Sequence, residues 1–281
     1  MQNLIIKTIC LFACVVFSSC EKIDLRSALL SYEKVNERFN QSMEWNARQG
    51  YQKIVTADNE YKIMVMADSH IGSTENYDLF IEHALQDKSL AVVMNGDITT
   101  GRADDYNTLS DIRPKKNDIE SFLTVGNHDL YFNGWKEFYA RFGASVYYFT
   151  VKTPLASDLF ICLDTGSGTL GEKQMKWLTK LLASERKKYR HCVVFTHVNF
   201  FRTRHTGSTN PPVEELQLLM DLFLTYQVNL LITGHDHEKS VEVLGNTSYI
   251  TMDALLDGFS QAGYLKLHIK DQGVGYSYIN F

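Results

Sequence analysis

Five of the chain's nine histidines, His70, His128, His197, His235 and His237, stand directly after short apolar runs, and Asp68, Asp97 and Asn127 stand in matching places. The runs are Lys62-Ile63-Met64-Val65-Met66-Ala67 before Asp68-Ser69-His70, Leu90-Ala91-Val92-Val93-Met94 before Asn95-Gly96-Asp97, Phe122-Leu123-Thr124-Val125 before Gly126-Asn127-His128-Asp129, Cys192-Val193-Val194-Phe195 before Thr196-His197, and Leu230-Leu231-Ile232-Thr233 before Gly234-His235-Asp236-His237. Imidazole nitrogen with carboxylate and amide oxygen, and no thiolate, is a donor set for Mn, Zn or Fe rather than for a structural zinc. Seven ligand candidates exceed what one ion accepts while keeping a position open for substrate, so two ions are the economical reading. Two such ions stabilise both the attacking and the leaving oxygen of a displacement at phosphorus. Asp68 and His70 are two apart, which in an extended segment points both to one side, and His235 and His237 repeat that spacing. His83, His191, His205 and His268 have no such setting and read as ordinary core or surface histidines.

The elements that must position these residues follow from the same pattern. Each run is a strand with its polar cluster at the carboxyl end, where ligands gather in open α/β sheets. Between them, residues 76–85, 104–112 (ended by Pro114), 133–142 (with Gly143 as C-cap), 171–182 and a segment from Pro211-Pro212 to about Tyr226 read as helices. Leu25, Leu29, Tyr32, Phe39 and Met43 make one apolar stripe on a helix over 25–43, expected to pack on the domain's own surface. Tyr51 to Val55 and Tyr61 to Met66 read as a strand pair around an Asp58-Asn59 turn. Further strands are expected over 145–151 and 159–163. Two hairpins close the chain, Ser240–Leu244 with Ser248–Met252 and Tyr264–Ile269 with Gly275–Ile279. The expected fold is α/β in layers (α+β), with two mixed β-sheets packed face to face, helices outside, and the metal site at the carboxyl ends of the strands.

Residues 1–19 have the layout of a secretory signal: an early Lys7, an apolar core from Ile9 to Phe17 too short to span a bilayer, and Ser18-Ser19. Phe17-Ser18-Ser19-Cys20 resembles the bacterial lipobox, so export to the cell envelope and anchoring through a lipidated Cys20 are expected. Ordinary cleavage after Ser19 and an uncleaved anchor are the alternatives. The organisation is then a signal over 1–19, an N-terminal helix and strand over 20–60 packed on the core, and one domain over 61–281. Of five cysteines, Cys162 and Cys192 alone lie beyond Cys20, each in an apolar run where a buried free thiol is common. A net charge of −5 argues against a general nucleic-acid surface. A monomer is expected.

Asp68-Ser69-His70, Gly96-Asp97, Gly126-Asn127-His128-Asp129, Thr196-His197 and Gly234-His235-Asp236-His237, in this order, resemble the motif set of the calcineurin-like metallophosphoesterases. The resemblance covers roughly residues 62–238. It implies that Asp68, His70 and His237 hold one metal, that Asn127, His197 and His235 hold the other, and that Asp97 bridges them. It makes His128 the proton donor to the leaving oxygen and Asp129 its orienting partner. Purple acid phosphatases, a branch of this family, place a tyrosine ligand three residues after the bridging aspartate. Here that place is Thr100, so a phenolate-bound ferric ion is not expected. Asp129 and Asp236 serve as caps or orienting groups rather than extra ligands, and Asp164 stands evenly between loop structure and site support.

The implied reaction is hydrolysis of phosphomono- or phosphodiesters of a small molecule, by attack of a hydroxide bridging two divalent ions. The long segment Phe200-Phe201-Arg202-Thr203-Arg204-His205-Thr206-Gly207 follows His197, which makes Arg202, Arg204 and His205 the candidates for substrate recognition, against a solvated basic loop. Tyr131 and Phe132 are candidates for an apolar wall, while Trp135 is read as helix packing. Two other classes stand beside the phosphoesterase: a two-metal hydrolase of another bond, and a non-catalytic metal-binding surface lipoprotein.

Overall fold

The computed structural model describes residues 32–201 and 209–281. The signal segment, Cys20, the first part of the expected N-terminal helix, and Arg202, Arg204 and His205 lie outside the described residues. In chain order the described elements are α1 (Val35–Gln49), β1 (Gln52–Val55), β2 (Tyr61–Met66), α2 (Glu75–Gln86), β3 (Ala91–Asn95), α3 (Ala103–Ile112), β4 (Glu120–Thr124), a 3-10 turn (His128–Asn133), α4 (Gly134–Phe142), β5 (Tyr147–Lys152), β6 (Ser157–Cys162), α5 (Gly171–Glu185), β7 (Cys192–Phe195), α6 (Val213–Thr225), β8 (Leu230–Thr233), β9 (Ser240–Leu244), β10 (Thr247–Thr251), β11 (Gly263–Lys270) and β12 (Gly273–Asn280).

The strands form two mixed sheets. One runs β1-β5-β6-β7-β8-β10-β9, the other β12-β11-β2-β3-β4. Alternation along the strands explains why they pack face to face. Ile63 and Val65 of β2, Phe160 and Cys162 of β6, and Val193 and Phe195 of β7 point into the core between the sheets. Met64 and Met66 point outward onto Tyr77 and Phe80 of α2 and Phe138 of α4, while Leu159 and Ile161 face Leu178 and Leu182 of α5 and Phe223 of α6. Phe122 of the smaller sheet stacks on Phe149 of the larger at 3.6 Å, and Phe160 continues the stack at 4.8 Å. Cys162 and Cys192 are free buried thiols, and burial pushes both up to about 12. Both closing hairpins form, β9 with β10 and β11 with β12.

Three expectations are corrected. β1 and β2 do not pair. β1 lies parallel to β5 at the edge of the larger sheet, whereas β2 sits between β11 and β3 in the smaller one. A four-residue strand carries alternation enough to be read as a strand but not enough to choose a partner. Second, α1 begins at Val35, leaving Tyr32 outside it and 72 % exposed. The start is fixed at Lys34, whose N–H donates to Glu37 Oε2 at 2.8 Å in a capping arrangement. Third, Asp68 and His70 do not lie on an extended segment, as the site shows.

α1 is part of the fold. Phe39 meets Trp177 of α5 edge-on, Trp45 meets Tyr139 of α4, and Asn46 Nδ2 donates to the Val146 carbonyl at 2.8 Å. No helix among the described residues is long and apolar enough to cross a membrane.

Candidate metal centre

β2, β3 and β4 are mutually parallel in one sheet, and β7 and β8 are parallel in the other. Within each sheet the carboxyl ends therefore face the same way, and Asn95 Nδ2 at the end of β3, donating to the Thr196 and Ile232 carbonyls, brings the two sets of ends together. Asp68, His70 and His237 bring one ligand atom each within 4.8 Å of one another, as do Asp97, His197 and His235, and also His70, Asp97 and His128. Asp97 thus shares groups with His70 on one side and with His197 and His235 on the other.

The backbone at these positions is unusual. Nine non-glycine residues among those described have φ in the left-handed region, and five are Asp68 (55°), His70 (43°), Asp97 (49°), His235 (75°) and His237 (56°). Each such residue costs roughly 1–3 kcal/mol and persists where the surroundings over-determine it. The side chains converge because each strand end curls through the left-handed region, not because two-residue spacing aligns them on a pleat. The motif glycines make room for this. A Cβ on Gly96 would meet His197 Nδ1 at 2.6 Å, and one on Gly126 or Gly234 would collide with the carboxylate of Asp97 or Asp68.

The site is buried and carries unpaired polar atoms. Asp68 Oδ1, Asn127 Oδ1 and His197 Nε2 are buried without a hydrogen-bond partner. Nε2 of His197 stands 3.2 Å from Asp97 Oδ2, and Nε2 of His237 stands 3.3 Å from Asp68 Oδ1, in ion-pair contact. The two ring nitrogens of His70 and His237 are 3.4 Å apart. Burial opposes charge on all of them. It raises the carboxyl of Asp68, but His197 and His237 outweigh it and hold that group below the carboxylate range. Asp97 is held well below the range against burial by His197, His128 and His70. His197 rises to about 9, burial lowering it but Asp97 and Asp68 raising it more, whereas burial takes His70 down to about 4. A cluster of carboxylates and imidazoles so mutually charged, with buried lone pairs left over, fits cations.

Tautomer and ring orientation at His197 are set by Asn95. The Asn95 carbonyl accepts from Nδ1 at 3.1 Å, which leaves Nε2 as the ligand atom. The Asn95 side chain donates to the Thr196 and Ile232 carbonyls, tying β3 to the ends of β7 and β8 across the two sheets. Thr165 Oγ1 accepts from the N–H groups of His197 and Val198, and Thr209 Oγ1 meets His235 Nε2 at 3.2 Å. These supports were missed in the sequence. A buried Asn at a strand end was the one signal, while the threonines have none.

His128 differs from its neighbours. Its main-chain N–H donates to Asp97 Oδ1 at 2.7 Å, its ring packs edge-on to His70, and its side chain is 39 % exposed, against 0 % for His197. Asp129, expected to orient His128, is committed elsewhere. Its buried carboxylate accepts from the N–H groups of Ile98, Thr99 and Gly126 and from the Thr99 hydroxyl, four donors that pin the Asp97 turn to the Asn127 turn. Burial, then the charge of Asp97, raises Asp129 to about 7. Thr100 gives its hydroxyl to Asp105 and Asn199 holds Asp236. Tyr131 lies buried beside the His128 ring and accepts from Asn127 Nδ2, Phe132 is exposed, and Trp135 is buried against Phe138.

The calcineurin-like phosphoesterase profile matches residues 61–239, more than half of the chain and all five clusters. The chain belongs to the calcineurin-like phosphoesterase family. It is a metal-dependent phosphoester hydrolase, and the fold of its relatives is the same layered sandwich. The protein described as GAP50, the anchor in the inner membrane complex of Plasmodium, superposes with a TM-score of 0.64 at 14% identity, covering 79% of this chain and 85% of that one. A dimetal phosphatase from Danio rerio superposes at 0.61 and 13% identity, covering 80% of this chain and all of that one. PhoD superposes at 0.56 and 12% identity, over 79% of this chain and 69% of its own. At these identities the likeness is one of fold. No curated protein matches the sequence.

Proposed function

We propose that this phosphoesterase hydrolyses small-molecule phosphomono- or phosphodiesters with two divalent transition ions, Mn, Zn or Fe, and with His128 as proton donor to the leaving oxygen. The observation that carries the reading is the set of buried atoms the chain leaves unpaired, Asp68 Oδ1, Asn127 Oδ1 and His197 Nε2. An unsatisfied buried polar atom costs roughly 1–3 kcal/mol, and cation binding removes that cost at all three. Asp68, His70 and His237 would hold one ion, Asn127, His197 and His235 the other, with Asp97 between them. Bound, the ions would polarise the phosphoryl oxygens and lower the pKa of water.

The chain's own residues do the rest. Asp97 fixes the backbone of His128, so the proton donor and the metal ligand move as one unit. The half-exposed His128 ring faces solvent, where an arriving ester oxygen has to be protonated as its bond to phosphorus breaks. Asn95 keeps the His197 ring in one tautomer, and Asp129 keeps the turns after β3 and β4 in register. Phosphate recognition falls to Arg202, Arg204 and His205. The test is a panel of alkyl and aryl phosphomono- and diesters, with carboxyl-ester and amide controls, before and after chelation. Chelator-sensitive turnover of phosphoesters alone is expected. Turnover of the controls and of none of the phosphoesters would overturn the reading.

We propose further that the chain is exported and held at a membrane by an acylated Cys20, since Phe17-Ser18-Ser19-Cys20 resembles a lipobox and acyl chains bind a bilayer. Cys20→Ser should move the protein from the membrane to the soluble fraction. Retention would show an uncleaved signal instead.

A further inference from the structure

The loop after β6, residues 164–168, carries no metal-ligand candidate, yet it touches the support of every residue assigned to one of the two ions. Thr165 Oγ1 accepts from His197 N–H at 3.2 Å and Val198 N–H at 2.9 Å. Gly166 lies so close to the turn before Asn127 that a Cβ there would meet the Gly126 carbonyl oxygen at 2.7 Å. Gly168 lies against Thr209 in the same way, where a Cβ would come within 2.8 Å of its backbone, and Thr209 Oγ1 contacts His235 Nε2. His197, Asn127 and His235 are the second ion's three unshared ligands. Among the described residues, no hydrogen bond or ion pair joins this loop to Asp68, His70 or His237, the ligands assigned to the other ion.

What fixes the loop is an ion pair reaching out of the family domain. Asp164 takes a two-point contact from Arg38 of α1, Nε at 2.7 Å and Nη2 at 3.0 Å, with both side chains fully buried. Arg38 Nη2 also donates to Ser167 Oγ at 3.1 Å, and Asp164 Oδ1 accepts from Gly166 N–H at 3.0 Å. A planar guanidinium in this fork geometry sets both the position and the angle of the loop, which the point charge of a lysine does not. Arg38 precedes the matched region, which starts at residue 61.

We infer that Arg38 is a positioning residue for one metal site alone: through Asp164 and the 164–168 loop it sets the affinity of the ion held by Asn127, His197 and His235. The inference rests on the two-metal reading above. Partners that orient ligands typically change metal affinity by 10–100-fold. The test is Mn²⁺ titration by calorimetry on the full chain, with thermal unfolding run in parallel. Arg38→Lys and Thr165→Val should each weaken one of two sites at least tenfold and leave the other unchanged. Thr165→Val keeps the side chain's shape while removing the acceptor, so it serves if the arginine variant folds poorly. In a His235→Ala background Arg38→Lys should add nothing, and in a His237→Ala background it should weaken the remaining site by the same factor as in the parent. Arg190→Gln, which breaks a different ion pair of β6, should lower Tm without moving either affinity. Equal weakening of both sites, or a lower Tm with both affinities intact, would overturn this inference alone. Failure of the unmodified chain to bind two Mn²⁺ would overturn it together with the two-metal reading.

Discussion

The two ends of β6 each hold a buried aspartate paired with an arginine, and they are built to opposite ends. At the amino end Asp158 accepts from Tyr61 Oη at 2.7 Å, from Arg190 Nε and Nη2 at 3.1 and 2.8 Å, and from His191 N–H at 3.2 Å. Every acceptor there is used, and none of the four residues has a left-handed backbone. Just past the carboxyl end, Asp164 and Arg38 are equally well paired, but the loop they fix supports turns where Asn127 Oδ1 and His197 Nε2 are buried without a partner and His235 sits at positive φ. One end closes on itself, and the other holds strained, unpaired groups in place for something the chain does not supply. That is the signature of a site rather than of a core.

Breaking the carboxyl end should cost function before fold. Asp97→Ala is expected to have the largest effect, because it removes the charge between two cations and the acceptor that holds His128. Several kcal/mol of transition-state stabilisation go with it, so kcat/KM measured on any phosphoester should fall by more than about a thousandfold. Normal turnover with full metal content would remove Asp97 from the bridge.

His128→Ala comes next and is selective. An alkoxide must be protonated as it leaves, whereas nitrophenolate leaves as a stable anion. Loss of a general acid costs typically about 10²–10⁴-fold, so kcat should fall by that much on alkyl esters and far less on nitrophenyl esters, with metal content unchanged. Equal loss on both esters, or loss of metal, would mean that His128 is not the acid.

The amino end should behave in reverse. Arg190→Gln strands the buried Asp158 carboxylate, and the arginine is 12 % exposed, so about 2–3 kcal/mol of stability is expected to go, somewhat less than for a fully enclosed pair. Chemical denaturation reads that loss, while kcat at 25 °C should be unchanged. A variant as stable as the parent would show that Asp158 finds water or another donor.

The mildest perturbation is a change of pH. In the metal-free chain His197 is raised to about 9 by Asp97 and Asp68 against the pull of burial, so it is protonated at neutrality. Its contribution to metal-free stability is complete below the unfolded value near 6.5 and is lost as pH rises through about 9. An ion must displace that proton, so apparent metal affinity should climb about tenfold per pH unit between those values. A flat affinity profile from pH 7 to 9 would mean that His197 is already neutral when the ion arrives.

Much of this was legible in the sequence, for a physical reason. Strand periodicity and an abrupt change to Gly, Asp, Asn and His are local features of the chain, so β2, β3, β4, β7 and β8 and their clusters stand out in it together with the two closing hairpins. The partner of β1 was not, because pairing is a long-range choice that four residues do not encode. The geometry of Asp68 and His70 was misread because left-handed turns at non-glycine residues leave no compositional trace. The donors to Asp129 come from the turns after both β3 and β4, Ile98 and Thr99 on one side and Gly126 on the other, a junction that the sequence order does not display. Arg38 and Thr165 carry no motif at all, and their place emerges only from which loops touch.

Asp97 is expected to stand between two ions, one held by Asp68, His70 and His237 and the other by Asn127, His197 and His235. The most direct measurement is anomalous diffraction at the absorption edge of the metal found in the purified protein. Two peaks flanking the Asp97 carboxylate are predicted. A single peak, or peaks away from these residues in a fully active sample, would contradict it.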